Sequence, residues 1–387
     1  MATLFNSEKY RTFARAYIPF SSTFGDRLGH FVQDLKTDYV SGAREMADKA
    51  LDHLQVLLRE AVFEVQNPFE LLKIAVLVIQ ALSSARPAMS AAISAALVRC
   101  LKDFTELILI KLSTGTDPDM IRKSASVMCD YVSTIRSVRK REFLELGHHF
   151  AAWLATNFDV AKPVDILTLS NSSSIRQCIL AALNAHRDLQ LNLTILESRP
   201  RYEGSDMAAK LLAETRSQER LHITIAPDCA VGSVSEYTEV VLLGADRISR
   251  DGDVSNKIGS LAAALCATSH NGQDLKVVVA SDIDKVIPGD RSYQHHNEEH
   301  EPEELTKAWS QELVKKLGDN VQVYGHWFEW VPAKYITDYC TERGMMTRDG
   351  ISEVSGEIEA WTKEVFAEKN GDVDFTNIEQ TPWTNRA

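Results

Sequence analysis

The chain has 387 residues, 44% hydrophobic and 25% charged, with 42 basic and 54 acidic side chains giving a formal net charge of −12. That length predicts about two domains, and the acidic balance excludes a broad nucleic-acid surface, which needs clustered Lys and Arg against phosphates. The six cysteines are scattered with no Cys-x-x-Cys spacing, the pattern of reduced thiols in a cytoplasmic protein and not of a disulfide frame or zinc site.

Met1–Glu8 shows no apolar stretch behind a basic region, so no secretory signal is expected. The most apolar run, Ile74–Leu82, is about half of what a membrane span needs, and no membrane partner is expected. From about residue 8 to 158 the periodicity is helical. Met46, Ala50, Leu54, Leu57 and Leu58 recur at three- and four-residue steps. Similar patterns run over Leu71–Leu82, Ala91–Leu112 and Ile121–Val138, punctuated by Asn67-Pro68, Arg86-Pro87 and Asp117-Pro118 as turn or helix-start signals. These segments predict a helical bundle domain over residues 1–160. Ser41-Gly42-Ala43 opens one of its long helices, and a glycine at a helix N-terminus lets the backbone approach an anion. The basic cluster Arg136, Arg139, Lys140 and Arg141 reads as a solvated helix face.

Near Pro163 the pattern changes. Short apolar runs at Val164–Leu169, Leu191–Glu197, Leu221–Ala226, Glu239–Gly244 and Leu275–Ala280 alternate with helical stretches near 173–186, 205–217 and 255–269. This alternation predicts an α/β domain over residues 161–350, built on a parallel sheet with both faces covered. Ligands of such sheets sit at the carboxyl ends of the strands. There is no Gly-x-Gly-x-x-Gly after the first strand and no Gly-Lys-Ser/Thr loop, which argues against dinucleotides and nucleoside triphosphates. A polar loop near 284–304 is followed by a strand at Val321–Tyr324 and a helix after Pro332. Residues 351–387 form an extension whose tail beyond about 368 reads as weakly ordered.

Three strand ends carry candidate chemistry. Ser170-Asn171-Ser172-Ser173-Ser174 precedes a helix, where the hydroxyls can cap the helix or hold an anion with backbone N–H groups. Arg199 and Arg201 bracket Pro200, either clamping phosphate or pairing with Glu197 and Glu203. Gly244-Ala245-Asp246-Arg247 is followed by Asn256-Lys257-Ile258-Gly259. Asp246 at a strand end suits a general acid or base, and Asn256 and Lys257 at the next helix start supply an amide and a point charge. Alternatively Asp246 and Arg247 form a simple turn and Lys257 points to water. His295, His296 and His300 among glutamates read as a solvated loop and not a metal site.

Taken in order, these segments resemble one superfamily. It contains ribose-1,5-bisphosphate isomerase, methylthioribose-1-phosphate isomerase and the alpha, beta and delta subunits of translation initiation factor 2B. The resemblance reaches to about residue 350. It rests on Ser41-Gly42-Ala43, the Leu169–Ser173 turn, Glu197-Ser198-Arg199-Pro200, Asp228-Cys229-Ala230, Gly244-Ala245-Asp246-Arg247 and Asn256-Lys257-Ile258-Gly259. Glu298–Glu304, Phe328-Glu329-Trp330-Val331-Pro332 and Thr341-Glu342-Arg343-Gly344 complete it. The resemblance implies a helical N-terminal domain, a Rossmann-like C-terminal domain and a homodimer formed through the latter. It implies an aldose 1-phosphate to ketose phosphate isomerisation without a cofactor, in which a cysteine and an aspartate are the reactive pair.

The aspartate is Asp246, but the cysteine position reads Ser170, and Ser41 stands where the isomerases carry a phosphate-binding arginine. A serine hydroxyl needs a strong neighbouring base that a thiol does not. Cys178, further along the following helix, reads as core. The candidate site is therefore Asp246 and Ser170 for chemistry, with Gly42, Ala43, Asn171, Ser172, Ser173, Arg199, Arg201, Asn256 and Lys257 for binding. The expected function is binding of a phosphorylated sugar in an isomerase-type pocket weakened for catalysis. A regulatory-type interaction protein of translation initiation, with initiation-factor partners, and an active isomerase are the alternatives.

Overall fold

Helical periodicity in the first part of the chain becomes five helices in the computed structural model, which describes residues 21–111, 118–289, 298–318 and 320–365. They are α1 (Ser22–Lys36), α2 (Ala43–Ala61), α3 (Pro68–Ser83), α4 (Ser90–Lys111) and α5 (Pro118–Asn157). α2 buries Met46, Ala47, Ala50, Leu51, Leu54, Leu57, Leu58 and Ala61, the stripe that the three- and four-residue steps dictate. α3 begins where Asn67-Pro68 predicts. Asn67 Oδ1 accepts from the Glu70 N–H at 3.0 Å, Glu70 Oε2 accepts from the Gln66 N–H at 2.7 Å, and Pro68 occupies the first turn.

The basic cluster on α5 is not uniformly solvated. Arg136, Lys140 and Arg141 are exposed, but Arg139 is 1% exposed and its Nε donates to Asp48 Oδ1 at 2.9 Å. A one-residue step on a helix turns by 100°, so neighbours in sequence face in different directions, and Arg139 falls on the buried stripe with Val132.

The chain divides into two compact units. One holds the described residues up to Arg141 and from Val354 onward; the other is Glu142–Glu353. The division falls inside α5 and not near residue 160, where the sequence pattern changes. The reason is that Leu146, Phe150, Ala151 and Leu154 of α5 belong to the hydrophobic core of the second unit.

That unit is built on β1 (Val164–Leu169), β2 (Leu191–Leu196), β3 (Leu221–Ala226), β4 (Val240–Leu243), β7 (Lys276–Ala280), β9 (Asp338–Thr341) and β10 (Gly344–Met346), in the order β10-β9-β7-β4-β1-β2-β3. All pairings are parallel except β9 with β10. The crossover helices are α6 (Ser173–Ala185), α7 (Glu203–Glu214), the single turn α8 (Val231–Val234) and α9 (Ser260–Asn271). Val164, Ile166, Leu191, Leu193, Ile195, Val240 and Leu242 face one core with α5, α6 and α7. The alternate residues Leu167, Leu169, Val241 and Leu243 are equally buried, and α9 packs against β1 and β4. Burial on both faces explains the near-continuous apolar runs. Chain progression turns outward in both directions from β1 and β4, so these two strands flank the switch point where open α/β sheets bind ligands.

Three expectations are corrected. Asn256 and Lys257 do not open a helix. They lie on β6 (Val254–Lys257), which pairs antiparallel with β5 (Arg247–Ile248) and β8 (Phe328–Val331) in a separate three-stranded sheet. Gly259, at φ 100°, separates β6 from α9 by a left-handed turn that breaks the helical pattern seen from residue 255. Val321–Tyr324 is not a strand; the strand of that region is β8. The helix after Pro332 is one 3-10 turn, Ala333–Tyr335, followed by β9 and β10. After the polar loop come α10 (Pro302–Thr306) and α11 (Gln311–Leu317), and α12 (Arg348–Val365) follows β10. The tail beyond 368, His295 and His296 lie outside the described residues. No single described helix is long and apolar enough to cross a membrane.

Candidate functional site

Ser170 leaves β1 at φ 68°, a left-handed conformation that costs a residue with a β-carbon about 1–3 kcal/mol. Its N–H is held by Ser198 Oγ at 2.8 Å. Ser198 leaves β2 in the same way, at φ 58°. Its N–H and that of Arg199 donate to the two carboxylate oxygens of Asp228 at 2.8 and 2.7 Å. The ends of three adjacent strands are thus laced together through Ser198 and Asp228, which fixes where the Ser170 hydroxyl starts. Neither of these two residues was singled out on chemical grounds in the sequence. Asp228 was visible only as part of a family segment.

Beyond the turn, Ser172 Oγ caps α6 by accepting from the Ile175 N–H at 3.3 Å. Asn171 Oδ1 accepts from Arg176 Nη1 at 3.0 Å, which commits its oxygen to the scaffold. Ser173 is the first residue of α6. Cys178 on this helix is fully buried, burial pushes its thiol well up, and it is a core residue as expected.

The second wall comes from β4 and β6. A β-carbon placed on Gly244 would lie 3.2 Å from Ser172 Oγ and 3.4 Å from Asn256 Oδ1. The β1 turn and the Asn256-Lys257 strand therefore converge at Gly244, at the carboxyl ends of the strands flanking the switch point. Asn256 Nδ2 donates to Ser260 Oγ at 2.9 Å, and Ser260 Oγ donates to the Lys257 carbonyl at 2.6 Å, so the amide is oriented from behind. Asp246, partly buried, hydrogen-bonds through its N–H to the Ser255 carbonyl at 2.8 Å, which brings β6 against the strand end. Arg247 beside it is buried; desolvation lowers its pKa, opposed by the Asp246 charge.

The two arginines of the Arg-Pro-Arg segment part company. Arg199 is exposed, with its guanidinium 5.8 Å from the Tyr202 ring. Arg201 lies 4.5 Å over Trp327 and pairs with Glu304, which is neither of the glutamates nearest it in sequence. Lys257 is 3% exposed, 4.3 Å over the same indole, and paired with Glu203. His300 stacks on Trp327 at 4.1 Å and is 5% exposed, so the loop around it is not simply solvated. Burial lowers its pKa, and its contact with Glu304 opposes that. Around Lys257 the sequence reading names Glu203, Glu304 and His300 in other roles, and it misses Trp327. The signal available for Trp327 was its place beside the Phe328–Pro332 segment.

The N-terminus of α9 is already occupied. Glu329 Oε1 accepts from the N–H groups of Gly259 and Leu261 at 2.7 and 2.9 Å. An external anion therefore finds a protein carboxylate there. Gly42 and Ala43 belong to the helical unit, where Gly42 is the N-cap of α2 and a β-carbon on it would meet nothing within 4 Å. The turn before them is built by Asp38, which accepts from the Val40 and Ser41 N–H groups and is lowered to about 2, burial opposing these bonds and Lys49.

A family model described as the initiation factor 2 subunit family matches residues 39–348. Methylthioribose-1-phosphate isomerase of Oryza sativa subsp. indica is 28% identical over 217 residues, which cover 54% of this chain and 56% of that protein. A putative methylthioribose-1-phosphate isomerase of Pyrococcus furiosus is 30% identical over 211 residues, 52% of this chain and 54% of that protein. The matched region thus spans little more than half the length of these relatives. Among solved structures, Pyrococcus horikoshii OT3 translation initiation factor eIF-2B has a TM-score of 0.61 at 20% identity, covering 84% of this chain and 99% of that one. The 5-methylthioribose 1-phosphate isomerase of the same organism has a TM-score of 0.62 at 20% identity, covering 86% and 88%. At that identity the structures share the fold.

Proposed function

Because this chain belongs to the initiation factor 2 subunit family, we propose that it binds a phosphorylated sugar at the carboxyl ends of β1 and β4. The observation that supports this most is the convergence of Ser172 Oγ and Asn256 Oδ1 at Gly244, where a β-carbon would crowd the Ser172 hydroxyl. Ser172 and Ser173 at the start of α6, with exposed Arg199 nearby in the chain after β2, suit a phosphate; Asn256 suits a hydroxyl. Ribose 1,5-bisphosphate at about one hundred times its dissociation constant would stabilise the fold by about 2.7 kcal/mol, read as a rise in melting temperature. Gly244→Ala, which puts a methyl group between the two walls, is expected to weaken that binding at least tenfold. A folded wild type that shifts with no sugar phosphate would sink the reading.

Ser170 in place of the family cysteine weakens isomerase chemistry at this site. In an aldose-to-ketose isomerisation the hydrogen at C2 moves to C1 while the C2 hydroxyl becomes a carbonyl, so one group must take or guide a proton and another must hold the opened chain. We assign the acid or base role to Asp246, whereas Ser170 offers a hydroxyl near neutral pH in place of a thiolate. The expected result is that Ser170→Cys raises turnover of an aldose 1-phosphate at least tenfold and that Asp246→Asn abolishes it. Full turnover in Ser170→Ala would make Ser170 irrelevant.

Ser170 and Ser41 favour a second reading, a regulatory-type subunit with translation initiation partners. Native purification decides it, since recovery of a homodimer alone counts against such a complex. We place the homodimer contact on the second unit.

A further inference from the structure

Lys257 is the cation that the sequence offers to phosphate, yet in the folded chain its charge is already answered. Its Nζ pairs with Glu203 Oε1 while lying 4.3 Å from the centre of the Trp327 ring. Glu203 Oε2 is buried with no hydrogen-bond partner among the described residues, and so is Nε2 of His300, which stacks on the same indole. The His300 Nδ1 contacts Glu304 Oε2 at 2.7 Å, and Glu304 Oε1 pairs with Arg201. Glu304 is thus taken up by two cationic or polar partners, whereas Glu203 is held by one of its two oxygens.

We propose that Glu203 is a built-in competitor anion that sets the charge a ligand must carry to reach Lys257. The inference rests on the sugar-phosphate reading above and deepens it. A buried carboxylate oxygen without a donor is costly, so the closed pair is less stable than a fully bonded one. Glu203 is the first residue of α7 and its side chain is 17% exposed, so it can turn to water without moving a strand. A phosphate monoester carries more than one negative charge at neutral pH and has three acceptor oxygens, which suits it to replace a singly charged carboxylate. A neutral sugar has no charge with which to do so, and a singly charged sugar acid only matches what it would displace.

The test compares wild type with Glu203→Gln, which keeps the side-chain length and an acceptor oxygen but removes the charge. By calorimetry, ribose 1,5-bisphosphate is expected to bind E203Q at least tenfold more tightly than wild type. D-ribonate, a sugar acid with one negative charge, is expected to bind E203Q and not wild type, and the added Lys257→Met change is expected to erase both gains. Should E203Q not melt cooperatively, Glu203→Ala gives the same readout. Equal or weaker binding of the bisphosphate by a folded variant overturns the proposal while leaving the sugar-phosphate reading intact. Failure of wild type and variant alike to bind the bisphosphate removes that reading, and this inference with it.

Discussion

Gly204→Ala is expected to cost about 3 kcal/mol or more of folding stability, measured as a lower urea midpoint at unchanged slope. Gly204 is the second residue of α7, and a β-carbon there would sit 2.0 Å from the carbonyl oxygen of Leu196, the last residue of β2. Ile195 Cγ2 closes in at 3.1 Å from the side. No rotamer relieves a β-carbon, so either α7 must lift or the end of β2 must bend. Both carry Met207, Ala208 and Leu211 away from the core they share with Leu193 and Ile195. Gly232 is the control, since a β-carbon there meets nothing within 4 Å, and Gly232→Ala should stay within about 0.5 kcal/mol of wild type. A Gly204→Ala variant as stable as Gly232→Ala would mean that α7 is not seated on β2 as described.

Glu342→Gln is expected to stabilise the protein at alkaline pH by about 3 kcal/mol and to do little in acid. Glu342 follows β9 and Asp282 follows β7; the two strands are parallel neighbours, so their carboxylates meet at one end of the sheet. Burial, with the charges of Asp282 and then Asp284 adding to it, pushes the Glu342 carboxyl up to about 8. The folded state therefore holds a proton that the unfolded chain releases near 4.5. Between these values the native state binds more protons, so stability is full below about 4.5, falls as pH rises, and is lost above about 8. At full strength that interval is worth roughly 5 kcal/mol, and screening at this partly buried group lowers the expectation to about 3 kcal/mol. Glutamine keeps an acceptor for the Ile283 N–H, which reaches Glu342 Oε2 at 3.1 Å. Melting curves of both proteins at pH 5 and pH 8.5 check it: the difference should open only at the higher pH. A constant difference across that range would show that Glu342 is ionised in the fold at both ends.

The sheet was legible because each strand buried on both faces announces itself as a short apolar run bounded by helical periodicity. β1 and β3 begin and end where their runs do. The small β5-β6-β8 sheet was not, because Val254–Lys257 carries a serine, an amide and an ammonium, all of them buried. Polar residues in a strand look like a helix start unless the partner strands, one of them some seventy residues away in sequence, are known. Arg139 escapes the sequence for the opposite reason: a charge on a helix reads as solvated, and only tertiary packing turns that position inward. In the site, segment order was enough to bring Ser172, Asn256 and Gly244 into one expectation. It did not reveal that Glu203 neutralises Lys257 or that Glu329 fills the N-terminus of α9, because each pairing is a side-chain choice between segments.

A crystal of the full chain soaked with ribose 1,5-bisphosphate would show directly whether a sugar-phosphate pocket lies at the ends of β1 and β4. Ligand density is expected between the Ser170–Ser173 turn and Gly244–Asn256, with a phosphate at the start of α6, and the same crystal reports whether the second unit forms a dimer. No ligand density there at saturating ligand, in a well-ordered crystal whose lattice leaves the Ser170–Ser173 turn uncovered, is the opposite result.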